Sequence, residues 1–154
     1  MPWIDTTTLG DKPEKKVQTL AIDFDGTLVE NEFPNIGAPC EGAVEFLKEM
    51  TDLGWKLILE TLRTDDDLQR AVLYCNQNNI DLWGINENPD QSDWNDAKKV
   101  HATLKIDDRN VGIPLKIGSN NKPCVDWAKV RDLFVSWEVL PPKTTDGSKT
   151  FEIK

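Results

Sequence analysis

This sequence predicts an α/β fold, a three-layer α/β/α sandwich built around a mainly parallel sheet. Short apolar runs suited to strands alternate with stretches of helical periodicity. The connections between successive runs are too long for hairpins, so the strands run parallel through crossovers. Polar residues gather just past the ends of those runs, where an open parallel sheet binds its ligand.

Taken in order, residues 1–16 are a polar lead-in without a clean period. Residues 17–23 (VQTLAID) read as a buried strand ending in a carboxylate, and 30–39 as a polar stretch containing Pro and Gly. Residues 41–53 place Ala43, Val44, Phe46, Leu47, Met50 and Leu53 at helical spacing, with Gly54 as the stop. Residues 55–59 (WKLIL) are the second strand. Thr64 is a helix N-cap before the acidic first turn Asp65, Asp66 and Asp67; Leu68, Ala71, Val72 and Cys75 form the apolar stripe, which stops near Asn78 and Asn79. Residues 81–85 (DLWGI) are the third strand, 87–94 a loop, and 93–101 one or two helical turns. Residues 104–106 (LKI) are the fourth strand, and 123–134 a last amphipathic helix with Pro123 in its first turn. The polar tail 141–154 offers Phe151 and Ile153 for an edge strand. The organisation is one domain over 17–140 between two polar ends.

The 154 residues carry 18 Lys and Arg against 27 Asp and Glu, a net charge of −9. One domain of this length buries a sizeable core without staples. The acidic balance argues against non-specific nucleic-acid binding and against an electrostatic membrane anchor. No run approaches the roughly 18 apolar residues of a spanning helix, and the N-terminal residues lack the apolar core of a secretory signal. Cys40, Cys75 and Cys124 are odd in number and show no CxxC spacing, so they read as buried free thiols of a cytoplasmic protein.

Asp23 and Asp25, Thr61, and Asp107 with Asp108 each follow an apolar run. One such Asp is ordinarily a cap or turn residue. Three strand ends that bring four carboxylates and a hydroxyl to one rim call for a counter-charge, because adjacent carboxylates cannot all stay ionised. A hard cation such as Mg²⁺, with oxygen ligands and a substrate phosphate, supplies it. A carboxylate beside that cation can attack phosphorus.

Asp23-Phe24-Asp25-Gly26-Thr27-Leu28-Val29 (DFDGTLV), directly after an apolar strand, resembles the first motif, DxDGT, of the haloacid dehalogenase superfamily. Thr61 after LILE, a Lys at 98 or 99, and IDD at 106–108 follow in the order of that family's other motifs. The segments FPNIG, LILETLR and IDDRNVGIP are similar to minimal members found in bacteria and phages. The resemblance implies a Rossmann-like sheet and a Mg²⁺-dependent phosphomonoesterase working through an aspartyl-phosphate on Asp23. It makes Asp25 the general acid and base, with its backbone carbonyl facing the metal. Thr61 would bind a phosphoryl oxygen, and Lys99, with Lys98 as rival, would neutralise nucleophile and phosphate. Phe24, Gly26, Thr27, Leu62 and Arg63 would surround the phosphate, Gly26 by permitting a turn of backbone N–H groups; Arg63 either reaches substrate or braces the rim. Asp23, Asp25, Asp107 and Asp108 would form the metal site.

The intervals from Thr27 to Thr61 and from Thr61 to Lys99 leave no room for the about 50 residues of a separate cap. An open site either accepts a large phosphorylated substrate or takes a second copy of the chain as its lid. Phe33, Trp83 and Trp94 lie near rim loops in this reading, and His101 is given no catalytic role. Two alternatives stand beside the phosphomonoesterase. One is a nucleotidase or a 3′-phosphatase on nucleic-acid ends, the latter requiring a basic patch from Lys98, Lys99, Lys105 and Arg109. The other is a non-enzymatic binding module, against which the intact pair Asp23 and Asp25 argues. A receiver domain fits less well, since its paired acids follow the first strand and its acceptor stands alone later.

Overall fold

The computed structural model describes residues 17–143; the expectations for 1–16 and for the tail beyond 143, including an edge strand at Phe151 and Ile153, lie outside the described residues. Among the described residues the fold is α/β, with a four-stranded parallel sheet and three α-helices. In chain order the elements are β1 (Thr19–Ile22), β2 (Val29–Glu32), β3 (Asn35–Pro39), α1 (Ala43–Asp52), β4 (Lys56–Leu59), α2 (Asp65–Gln77), β5 (Leu82–Ile85), β6 (Leu104–Ile106), β7 (Leu115–Ile117), β8 (Pro123–Val125) and α3 (Trp127–Ser136). The sheet runs β5-β4-β1-β6, every pair parallel. All four residues of β1 are buried, which is why, past Thr19, its sequence is apolar rather than alternating. The order grows from β1 through β4 to β5 and then returns to β6 on the other side, so β1 is the switch point of the sheet.

Register then fixes what emerges at the carboxyl edge. Ile22 pairs with both Leu59 and Ile106, and Leu59 pairs with Ile85. The next residue on each strand, Asn86, Glu60, Asp23 and Asp107, therefore forms one row across the sheet. Three ladder bonds continue into that row: Asn86 N–H to Leu59 O at 2.7 Å, Glu60 N–H to Ile22 O at 2.8 Å, and Asp23 N–H to Ile106 O at 3.0 Å.

Helix α1 buries Ala43, Phe46, Leu47 and Met50 and packs on β4 and α3. The Phe46 ring lies 5.0 Å from both the Trp127 and Phe134 rings of α3. Truncating such a buried ring to Ala typically costs about 3–5 kcal/mol. Trp127 also donates its indole N–H to the Thr27 carbonyl at 2.8 Å, tying the core to the turn after β1. Cys40, Cys75 and Cys124 are free and buried, and burial pushes each thiol upward, which leaves them inert as nucleophiles.

The four strands of the sheet and helices α1 and α2 fall where the sequence places them; Gly54 ends the first turn after α1 with φ +96°. Three other segments differ. The antiparallel hairpin β2–β3 occupies 29–39 where the sequence reads only a polar stretch over 30–39, because strands reading VENE and NIGAP lack the apolar alternation that marks a half-buried sheet. Residues 123–125 are strand β8, not the start of a helix. Pro123 opens an edge strand, and the cap of α3 is Asp126, whose side chain accepts from Lys129 N–H at 3.1 Å. Residues 93–101 contain only the end of a short 3₁₀ turn at Gln91–Asp93. Gln91 instead holds that loop open by bonding the Ala97 and Lys99 carbonyls and the His101 N–H.

Candidate active site

A cavity of about 570 Å³ opens at the carboxyl edge of the sheet, lined among others by Asp23, Asp25, Thr61, Asp107 and Asp108. The residues after β1, β4 and β6 thus meet although they are far apart in sequence. Asp23, Asp107 and Asp108 each place a carboxylate oxygen within 4.8 Å of the others. Burial above all, then the Asp107 charge and the Asp108 side chain, push the Asp23 carboxyl from 3.8 up to about 8. The Asp108 carboxyl is also pushed up, chiefly by burial. Three crowded oxygen donors with strained ionisation are a donor set suited to a hard divalent cation.

The turn after β1 supplies the floor. Gly26 sits at φ +79°, and a Cβ there would fall 2.8 Å from the Asp108 Cγ. Thr27 is fully buried and braces rather than lines the cavity: its hydroxyl donates to Asp23 Oδ2 at 3.4 Å and accepts from Asp108 N–H at 3.1 Å. Gly26 N–H is taken by the Val29 carbonyl at 2.7 Å, so the turn does not present that donor to a phosphate as the sequence reading expects. Phe24 has its side chain in the core, edge-on to Tyr74 with ring centroids 5.7 Å apart; only its backbone faces the Asp23 carboxyl.

Asp107 accepts from Arg109 N–H at 2.9 Å, which aims its side chain. Thr61 accepts from Arg63 N–H at 3.1 Å, while its own N–H donates to Asn86 Oδ1 at 2.8 Å. Its hydroxyl proton remains available to an oxygen in the cavity. Leu62, on the mouth, is fully exposed. Arg63 is only 2% exposed and makes a two-pronged ion pair with Asp25, Nε to Oδ2 at 2.8 Å and Nη2 to Oδ1 at 2.7 Å. Of the two readings of Arg63, bracing is the one its contacts match.

The lysines do not converge. Lys98 and Lys99 are exposed and neither lines the acidic cavity; Lys99 lines a separate cleft with Trp94 and His101. The loop before β6 lacks the helical turns that would aim a side chain at the rim. Lys105 comes closer, pairing with the cavity residue Glu60 at 3.2 Å. Of the three rim aromatics only Phe33 lines the cavity. Trp94 stacks edge-on with His101 at 5.4 Å, and Trp83 lies in a cleft with Gly54 and Asp81.

Sequence reasoning passed over Asn31, Glu60 and Asn86 as cavity residues. Glu60 and Asn86 carry the same signal as Asp23, a polar residue directly after an apolar run. Asn31 belongs to the unforeseen hairpin.

No family model matches the chain, and no curated protein does. Among solved structures, a conserved protein from Bacteroides thetaiotaomicron is similar at a TM-score of 0.66 and 32% identity, over 84% of this chain and 94% of that one. The chain belongs to the family of that protein. Among the described residues, no helix is long and apolar enough to cross a membrane.

Proposed function

We propose that this protein is a Mg²⁺-dependent phosphohydrolase of the haloacid dehalogenase type, cleaving phosphomonoesters through an aspartyl-phosphate on Asp23. The observation that carries the reading is the convergence of Asp23, Asp107 and Asp108 within 4.8 Å at the switch point of a parallel sheet. Nothing in a structural role calls for three carboxylates to crowd there.

Asp23, Asp107 and Asp108 would hold the metal, with the Asp25 backbone carbonyl alongside. When bound, Mg²⁺ supplies the positive charge that lets these carboxylates ionise together and that offsets charge on the phosphoryl oxygens. Asp23 attacks phosphorus with one carboxylate oxygen, and the ester oxygen leaves with the bond's electron pair. Asp25, at the cavity wall, keeps a lone pair on each oxygen beyond those that Arg63 engages; a proton taken up there passes to the leaving oxygen, and the same position later takes one from the water that attacks the phosphoryl-aspartate, releasing phosphate and restoring Asp23. Thr61 donates its hydroxyl proton to a phosphoryl oxygen, and Arg109 is an exposed cation of the cavity lining.

The layout reads as a three-layer, Rossmann-like sandwich without a cap domain, in which hairpin β2–β3 is the only cover among the described residues and the site stays open to bulky esters unless a second copy closes it. Buried thiols suit a reducing cytoplasm. A nucleotidase remains the second reading, favoured by the Phe33 ring exposed on the cavity wall, where a base can stack. The test is a panel of sugar phosphates, nucleotides, phosphorylated oligonucleotides and an aryl phosphate, with Mg²⁺ and with chelator. Mg²⁺-dependent phosphate release supports the reading, and no release from any member rejects it.

A further inference from the structure

We propose that Arg63 is a positioning residue that fastens Asp25 to the β2–β3 hairpin, so that acid–base group and flap move as one unit, and that it does not bind phosphate. A guanidinium has five N–H donors. Five acceptors surround this one. Besides the two Asp25 oxygens, Nη1 donates to the Pro34 carbonyl at 3.0 Å and to the Asp67 carbonyl at 3.3 Å, and Nη2 to the Asn35 carbonyl at 2.9 Å. No donor is left for a substrate oxygen. The guanidinium carbon also lies 5.0 Å from the Phe24 ring centre and 5.1 Å from that of Phe33, so the planar group is packed between core and hairpin tip.

The partners belong to three different parts of the chain. Asp25 is on the turn after β1, Phe33, Pro34 and Asn35 form the tip of the hairpin, and Asp67 is in the first turn of α2. Arg63 itself stands two residues past Thr61 and donates its own N–H to the Thr61 hydroxyl. Val29 and Glu30 are buried at the base of the hairpin, and Glu30 ties that base to Ser119 and Asn120 of the β7–β8 loop, whereas the tip and most of β3 stand exposed over the cavity. The buried guanidinium holds that tip down, and pins both carboxylate oxygens of Asp25 in the same stroke. A displaced hairpin must therefore redirect Asp25. Lys in its place keeps the charge but has no planar fork to serve these acceptors together.

The kinetic half of the test rests on the phosphohydrolase reading; the exchange half does not. Amide hydrogen exchange of residues 29–39 and steady-state kinetics are compared between the wild type and Arg63→Lys. Exchange in the hairpin is expected to rise about tenfold or more while β1 and β4 stay protected. Turnover is expected to fall about a hundredfold, with inhibition by inorganic phosphate unchanged within about twofold. Weaker phosphate inhibition with unchanged hairpin exchange overturns the proposal and makes Arg63 a phosphate ligand. If Arg63→Lys loses protection throughout the sheet, Asp25→Asn probes the same link from its other end: faster hairpin exchange supports it, and unchanged exchange overturns it. A wild type that hydrolyses nothing refutes the phosphohydrolase reading alone, and the hairpin exchange still decides the role of Arg63.

Discussion

Gly26 and Asp108 stand so close that no side chain fits between them: a Cβ on Gly26 would meet the Asp108 carboxylate, 2.8 Å from its Cγ and nearer still to an oxygen. The glycine is also at φ +79°, where an L side chain costs about 1–2 kcal/mol. Gly26→Ala is therefore expected to lower stability by at least about 1 kcal/mol and to displace Asp108 from the acidic cluster. Urea melts measure the first effect. A Mg²⁺ titration followed by Trp fluorescence measures the second, with weaker binding expected.

Asp23→Asn should abolish turnover while leaving the fold intact, since an amide keeps the shape but is no anionic nucleophile. The same variant carries a pH signature. The folded carboxyl is raised to about 8 from 3.8, so between these values the native state binds the extra proton and metal-free stability falls as pH rises. The stabilising share is complete below about 3.8 and is lost as pH passes about 8. At pH 8 without divalent cations Asp23→Asn should melt at least about 3 °C above the wild type. At pH 5 the difference should shrink. Equal melting temperatures at both values contradict the crowding of charge.

How much of this was legible beforehand follows from what each signal depends on. Strands β1 and β4 were readable because burial on both faces forces nearly continuous apolar runs, β6 from the short stretch LKI at the sheet edge, and the residue after each could be named as a rim residue. Asp23, Thr61, Asp107 and Asp108 do meet. The hairpin at 29–39 was not readable, since its pairing rests on turn geometry at Phe33 to Asn35 and on the buried Glu30. Glu30 accepts Ser119 N–H at 2.9 Å and Asn120 N–H at 3.0 Å from the β7–β8 loop, a contact across some ninety positions that no local pattern announces. Lys99 was chosen by its distance from Asp107 along the chain, which says nothing of where an irregular loop points its side chains.

That placement makes its own prediction. Lys98→Ala and Lys99→Ala should each leave turnover on a small aryl phosphate within about threefold, as exposed residues outside the cavity. Arg109→Ala, at the mouth, should raise KM with little change in kcat. A large loss in Lys99→Ala means that the loop swings its ammonium over the phosphate during turnover.

Metal dependence separates the donor set from its alternatives. Chelator should stop phosphate release and Mg²⁺ restore it, because Asp23, Asp107 and Asp108 offer oxygen only. Asp107→Ala should raise the Mg²⁺ concentration needed for half-maximal activity. Undiminished activity in chelator, or recovery with Zn²⁺ alone, speaks against a hard-cation site.

The nucleophile itself is open to a direct measurement. Protein turning over an aryl phosphate in Mg²⁺ is quenched in acid, treated with borohydride and digested, and the peptide containing Asp23 is examined by mass spectrometry. Reduction converts a phosphorylated aspartate to homoserine. Homoserine at position 23, present with Mg²⁺ and absent with chelator or in Asp23→Asn, is the expected result. Steady hydrolysis with position 23 unaltered, or with the modification on another side chain, contradicts the aspartyl-phosphate on Asp23.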